Sequence, residues 1–190
     1  MKILFLQLLL CIALQSFSKI THSDSLYYFE HLRADSLMGL DVRGTTLRPF
    51  IVKDRKGTIF TNDSLPSKIT FINFWFEACH PCVAEFSALE KFYANNKSRK
   101  NFQFISITFE QDSTIDQVRG KYNFTYRVYR LSNDSCRMLL GKSGYPTSQI
   151  LDKNGKIVYS ITGGPIDPVM ANKYLNYFIQ GELDKQLKNW

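Results

Sequence analysis

Two cysteines separated by two residues, Cys79 and Cys82 in FINFWFEACHPCVAEF (residues 71–86), have the spacing that most directly suggests chemistry. Such a pair can ligate zinc, attach a haem, staple a loop or shuttle electrons. Haem attachment needs a histidine directly after the second cysteine, where Val83 stands. Structural zinc needs a second ligand pair, yet Cys136 is isolated and His22 and His31 lie far upstream. A redox-active dithiol and a static structural disulfide both stay open at this point.

The flanking elements bear on that choice. Ile69–Phe76 is a nearly continuous apolar run, as expected of a strand covered on both faces. Pro81–Asn95 reads as a helix, with Val83, Phe86, Leu89 or Glu90, and Phe92 or Tyr93 recurring at helical spacing. Cys79 then falls at the strand's end and Cys82 in the helix's first turn, where Pro81 is also well suited. N–H groups and the dipole at a helix start stabilise a thiolate, drawing its pKa from about 8.5 towards roughly 3.5–7.5. Cys79 is expected to be exposed and the more reactive of the two. The strand–C-x-x-C–helix context favours redox chemistry over a static bridge.

The rest of the chain supplies a scaffold. PFIVKDRKGTIFT reads as a hairpin turning at Asp54–Gly57. Strands are expected at Phe102–Phe109 and Tyr126–Leu131, with helices at Ser113–Tyr122 and at Ser132–Leu140, the latter capped by Asn133 or Asp134. Ser148–Leu151 and Ile157–Ile161 flank the turn DKNG, and Asp167–Pro168 opens a terminal helix. This pattern predicts an α/β fold: a central mixed sheet flanked by helices, with an N-terminal hairpin. Residues 1–18 have the plan of a signal peptide, since the apolar run Ile3–Leu14 is shorter than the roughly 20 residues of a membrane span. Residues 19–48 read as a partly helical extension, with Leu26, Phe29 and Leu32 inward, and 49–190 as the main domain. The net charge of +7 is scattered, without the basic stripe and interleaved aromatics of a nucleic-acid binder.

From about Pro49 to Ile179 the chain resembles the exported TlpA/ResA-like thiol–disulfide oxidoreductases, which have a thioredoxin fold. FINFWFEACHPCVAEF resembles that family's strand, active-site motif and helix, and GYPTSQILDKNGKIV its cis-proline loop and closing hairpin. The resemblance implies that Cys79 attacks, Cys82 resolves, and the two form a redox disulfide. Pro146 would be the cis-proline, with the backbone of Tyr145 pairing with a docked strand, and Trp75 the aromatic platform. Glu85, three residues after Cys82, would take up its proton. The stretch around Glu110–Tyr126 would be the family's insertion, and His80 and Pro81 would border the substrate. A hydrogen-bonding His80 beside Cys79 shifts the poise towards oxidation, whereas the family implies reduction. Three positions depart from the pattern: Asn73 for a buried aspartate, Ala78 for a tryptophan, and a bulky Tyr145.

The implied protein needs no cofactor and no metal. It is a monomer of the bacterial periplasm or cell envelope, trading electrons with protein thiols and an upstream thiol donor. Cys136 is expected to be a buried apolar filler. The alternatives are a thioredoxin-fold binding module with a structural disulfide, or a disulfide oxidase or isomerase.

Overall fold

A computed structural model describes residues 42–189. The expected signal peptide, and the helix expected to bury Leu26, Phe29 and Leu32, lie outside the described residues. The hairpin forms as β1 (Ile51–Asp54) and β2 (Ile59–Thr61). Gly57 closes its turn at φ 81°, donating its N–H to the Asp54 carbonyl at 2.9 Å, a conformation that favours glycine. Next come β3 (Ile69–Trp75), α1 (His80–Asn96), β4 (Phe102–Thr108), α2 (Asp112–Tyr122) and β5 (Val128–Arg130). Then follow α3 (Asn133–Leu140), β6 (Thr147–Leu151) and β7 (Ile157–Thr162). The C-terminal segment runs through α4 (Pro168–Tyr174), a π-helical stretch (Leu175–Gln180) and α5 (Gly181–Lys188).

The seven strands form one mixed sheet in the order β2-β1-β5-β4-β3-β6-β7. Strands β3, β4 and β5 are parallel, which requires crossovers, and α1 and α2 supply them. The segment 110–126, expected to be the insertion, holds α2 and leads from β4 to β5. The flanking pairs β1–β5, β3–β6 and β6–β7 are antiparallel.

Strand periodicity divides the core. In β3, Phe71, Asn73 and Trp75 point to one face and Ile72 and Phe74 to the other, and all are buried. Ile72 and Phe74 join Val52, Phe60, Ile107 and Cys136 in the core of one face. On the other face Trp75 meets Phe86 edge-on at 5.0 Å, and Phe71 packs on Phe92 at 4.9 Å. That side therefore seats α1.

One local expectation needs correcting. Neither Asn133 nor Asp134 caps α3; both lie inside it, and the Ser132 hydroxyl accepts the Ser135 N–H at 3.1 Å. Ser132 has the extended backbone an N-cap requires. Residues 42–48, placed by sequence in the extension, are tied to β7. Gly44 N–H donates to the Ile157 carbonyl and Ile157 N–H to the Thr45 carbonyl, both at 2.8 Å, and Leu47 is buried.

Trp75 Nε1 donates to the Ser106 hydroxyl at 2.7 Å, and both residues are fully buried. Ser106→Ala strands that indole N–H without water. It is expected to cost about 1–3 kcal/mol in chemical denaturation, with the fold retained. An unchanged midpoint would show that the indole finds another acceptor.

Candidate active site

Strand β3 ends at Trp75, and the chain turns over Phe76–Cys79, closed by a hydrogen bond from Cys79 N–H to the Phe76 carbonyl at 3.2 Å. Cys79 is the N-cap of α1, and its Sγ accepts the Cys82 N–H at 3.3 Å. Sulfur thus occupies the place that a serine or aspartate oxygen usually takes at a helix start. Pro81 lies in the first turn, where a missing N–H leaves no bond unmade. Cys79 and Cys82 are joined as a disulfide. The expectation of an exposed Cys79 is corrected: 6% of it is accessible, against 1% of Cys82. Capping turns its sulfur over the helix start rather than outward. Ala78 and His80, on either side of Cys79, are exposed.

The second half of the site comes from the sheet. Thr147, first residue of β6, is in register with Phe74 of β3, so the preceding Pro146 reaches the level at which β3 ends. The Tyr145–Pro146 peptide bond is cis, and the Pro146 carbonyl accepts the Gly163 N–H at 2.8 Å. The Tyr145 side chain turns inward, meeting Phe76 edge-on at 5.1 Å. Its buried hydroxyl lies beside the Cys136 thiol, and the residue as a whole is half-buried, packed against the core. Cys136 is fully buried, and burial pushes its thiol up to about 11. Trp75, expected as a platform for substrate, is interior, with no accessible surface.

Glu85 is neither exposed nor ion-paired. It is 2% accessible, Oε2 has no hydrogen-bond partner, and burial pushes its carboxyl up to about 8. It lies one helical turn beyond Cys82 and reaches the Pro146 loop. A Cβ on Gly164 would stand 2.6 Å from Glu85 Oε1 and 3.7 Å from Pro146 Cγ. Gly164 therefore leaves room for this carboxyl, a role that sequence reasoning missed; the Gly-Gly-Pro run at 163–165 was its only local signal. Asn73 lies inside the sheet, donating to the Ser148 hydroxyl at 3.1 Å. Among the described residues, no three His, Cys, Asp or Glu side chains gather where they could share a metal ion.

The family model described as Redoxin matches residues 43–177. The chain belongs to the Redoxin family. It is 30% identical over 117 residues to the thiol–disulfide oxidoreductase ResA of Bacillus thuringiensis, a match covering 60% of this chain and 66% of that protein. The chain thus spans just under two thirds of that relative's length. ResA of Bacillus subtilis is 24% identical over 140 residues, covering 73% and 77% respectively. Among solved structures, a Chlorobium tepidum protein described as a candidate thiol:disulfide interchange protein DsbE aligns with a TM-score of 0.62 and 21% identity. That alignment covers 73% of this chain and 96% of the other. At that identity the likeness shows the fold, which is thioredoxin-like. Family and fold together make this Redoxin a thioredoxin-fold protein, similar over part of its length to ResA thiol–disulfide oxidoreductases.

The state of Glu85 has a consequence for stability. Its folded pKa is raised from 4.5 to about 8, so between these values the folded protein holds a proton that the unfolded chain has lost. Stability is therefore full below about pH 4.5 and declines as pH rises towards 8, by at most about 5 kcal/mol. Glu85→Gln should remove that decline, so the variant's advantage grows through this window and levels off above it. Denaturation of the oxidised proteins across the pH range reads this directly. Parallel curves would mean that Glu85 titrates normally.

Proposed function

We propose that this Redoxin is a thiol–disulfide oxidoreductase that reduces disulfides of partner proteins outside the cytoplasm. The observation that carries the reading is a disulfide at a helix N-cap, flanked by a cis-proline loop and backed by a buried carboxyl. Export is supported by the signal-like pattern of residues 1–18. No helix among the described residues is long and apolar enough to cross a membrane. The exchange domain is assigned to 49–190, together with the tied segment 42–48.

In the reduced protein the Cys79 thiolate attacks one sulfur of a partner disulfide. A mixed disulfide forms, and the partner's other sulfur leaves as a thiolate. Cys82 then attacks Cys79 Sγ, restoring the intramolecular bond and releasing the partner as a dithiol. The partner gains two electrons from the C-x-x-C pair, and its two sulfurs, each released as a thiolate, take their protons from solvent. Glu85 accepts the Cys82 proton as that sulfur becomes nucleophilic. A carboxyl largely protonated at neutral pH suits the oxidised product of this step. Recharging runs in reverse: an upstream thiol protein attacks the disulfide, and Glu85 returns the proton to Cys82. The protein acts as a monomer, the backbone of Tyr145 offers the docking edge, and His80 and Pro81 border the docked segment.

Cys79→Ser is expected to abolish insulin disulfide reduction, whereas Cys136→Ser keeps most of it because that thiol is sealed in the core. Cys82→Ser should accumulate covalent partner complexes that a reductant releases. A reduction potential below about −300 mV, the range of structural disulfides, would instead favour a binding module with a static bridge.

A further inference from the structure

Glu110 belongs to none of the motifs, yet it is tied to the turn that carries Cys79. Its Oε1 accepts the Glu77 N–H at 2.9 Å. Glu77 lies within the Phe76–Cys79 turn, just beyond the end of β3, where the ladder can no longer hold it. Glu110 is itself anchored at both backbone ends. Its N–H donates to Thr108 Oγ1 at 3.2 Å, and its carbonyl accepts Arg130 Nε at 2.9 Å. Arg130 also donates to Gln111 Oε1 at 2.7 Å and pairs with Asp112 at 3.6 Å. The backbone that carries the acceptor is thus held on both sides.

The adjoining residues reinforce this link. Phe76 stacks on Phe109 with ring centroids 5.6 Å apart, and Tyr145 meets both rings edge-on, at 5.1 and 5.9 Å. One hydrogen bond and three ring contacts therefore join the Cys79 turn, the segment after β4 and the loop containing Pro146.

We propose that Glu110 is a positioning residue for thiol–disulfide exchange, fixing the turn that presents Cys79 relative to the Pro146 edge where a partner docks. The inference rests on the exchange reading given above. Exchange needs the attacking sulfur in line with the partner's S–S bond. A protein partner is registered by the docking edge, so the offset between edge and sulfur must be right. A shift of about 1 Å can cost on the order of 10²-fold in rate. A small disulfide needs no docking edge and approaches the sulfur along its own line. Positioning therefore affects protein substrates selectively.

The test compares Glu110→Ala, Glu110→Asp and Glu110→Gln in the full chain, with insulin and oxidised glutathione as substrates. The exchange rate of the Glu77 amide is followed in parallel by NMR. Glu110→Ala is expected to slow insulin reduction roughly five- to tenfold and to change the glutathione rate by less than about twofold. Glu110→Asp, one methylene too short, should follow the alanine variant and carries the comparison should that variant fail to fold. Glu110→Gln keeps an acceptor oxygen and should recover most of the wild-type rate. The Glu77 amide should exchange faster in the alanine and aspartate variants. Unchanged insulin rates, equal slowing of both substrates, or a glutamine variant as slow as alanine would each overturn the proposal. If Cys79→Ser still reduces insulin, the exchange reading itself falls. If Cys79→Ser is dead and Glu110→Ala is not slowed, only the positioning role falls.

Discussion

Strand β3 carries two ladders at once, parallel to β4 and antiparallel to β6, and the residues of the exchange edge inherit their places from those registers. Pairing Trp75 with Thr108 brings Phe76 beside Phe109 and Glu77 beside Glu110 as the strands end. Pairing Phe74 with Thr147 delivers Pro146 to the same end of the sheet. A slip of one residue would exchange the two faces of β3, sending Trp75 away from α1 and Phe74 towards it. Both faces are fully buried, so such a slip has no tolerable outcome. Hydrophobic burial along β3 therefore sets the position of a sulfur that lies beyond the strand.

The same interior holds groups that oppose folding. Asn73 leaves its Oδ1 unpaired and Glu85 its Oε2, both out of reach of solvent. Each such group costs about 1–3 kcal/mol, against a typical net stability of 5–15 kcal/mol for a whole domain. The aromatic packing around α1 offsets this. Each buried Phe or Trp removes about 150–250 Å² from water, worth roughly 4–6 kcal/mol before entropy is counted. Asn73 is neutral at any pH, whereas Glu85 can change charge. The titratable acid of the site therefore stands on α1, one turn from Cys82, and not on the strand. Its space depends on the absence of a side chain at Gly164.

Much of this architecture was legible in the sequence because burial leaves a period. The apolar run of β3, the helical spacing of α1 and the turn residues Asp54–Gly57 and Asp152–Gly155 placed their elements within a residue or two. The cysteines at the strand–helix junction and the proline of the closing loop were legible for the same reason. What escaped depends on contacts between distant segments. The inward turn of Tyr145, the buried Trp75 indole, and the room Gly164 leaves for Glu85 are all set by which loops meet, and local composition does not encode that. The α3 cap failed differently: Ser132, Asn133 and Asp134 are all good capping residues, and only the backbone angles select Ser132.

Two features of the site pull the disulfide's poise in opposite directions, and their sizes can be compared. A helix start typically favours a nearby negative charge by about 0.3–1 kcal/mol. For a two-electron couple, about 1.4 kcal/mol corresponds to 30 mV, so the dipole moves the potential by roughly 6–20 mV towards the thiolate. Thioredoxin and DsbA differ by about 150 mV, several times more. The helix start alone therefore does not make this centre an oxidant. Burial works the other way. With Cys79 and Cys82 almost inaccessible, a thiolate at either position loses most of its hydration, while the neutral disulfide loses little. A sulfur site this enclosed stabilises the bonded form, and a stable bonded form drives electrons outward. Enclosure and the helix start thus act in opposite senses on the same couple, and the helix start also favours the thiolate that attacks.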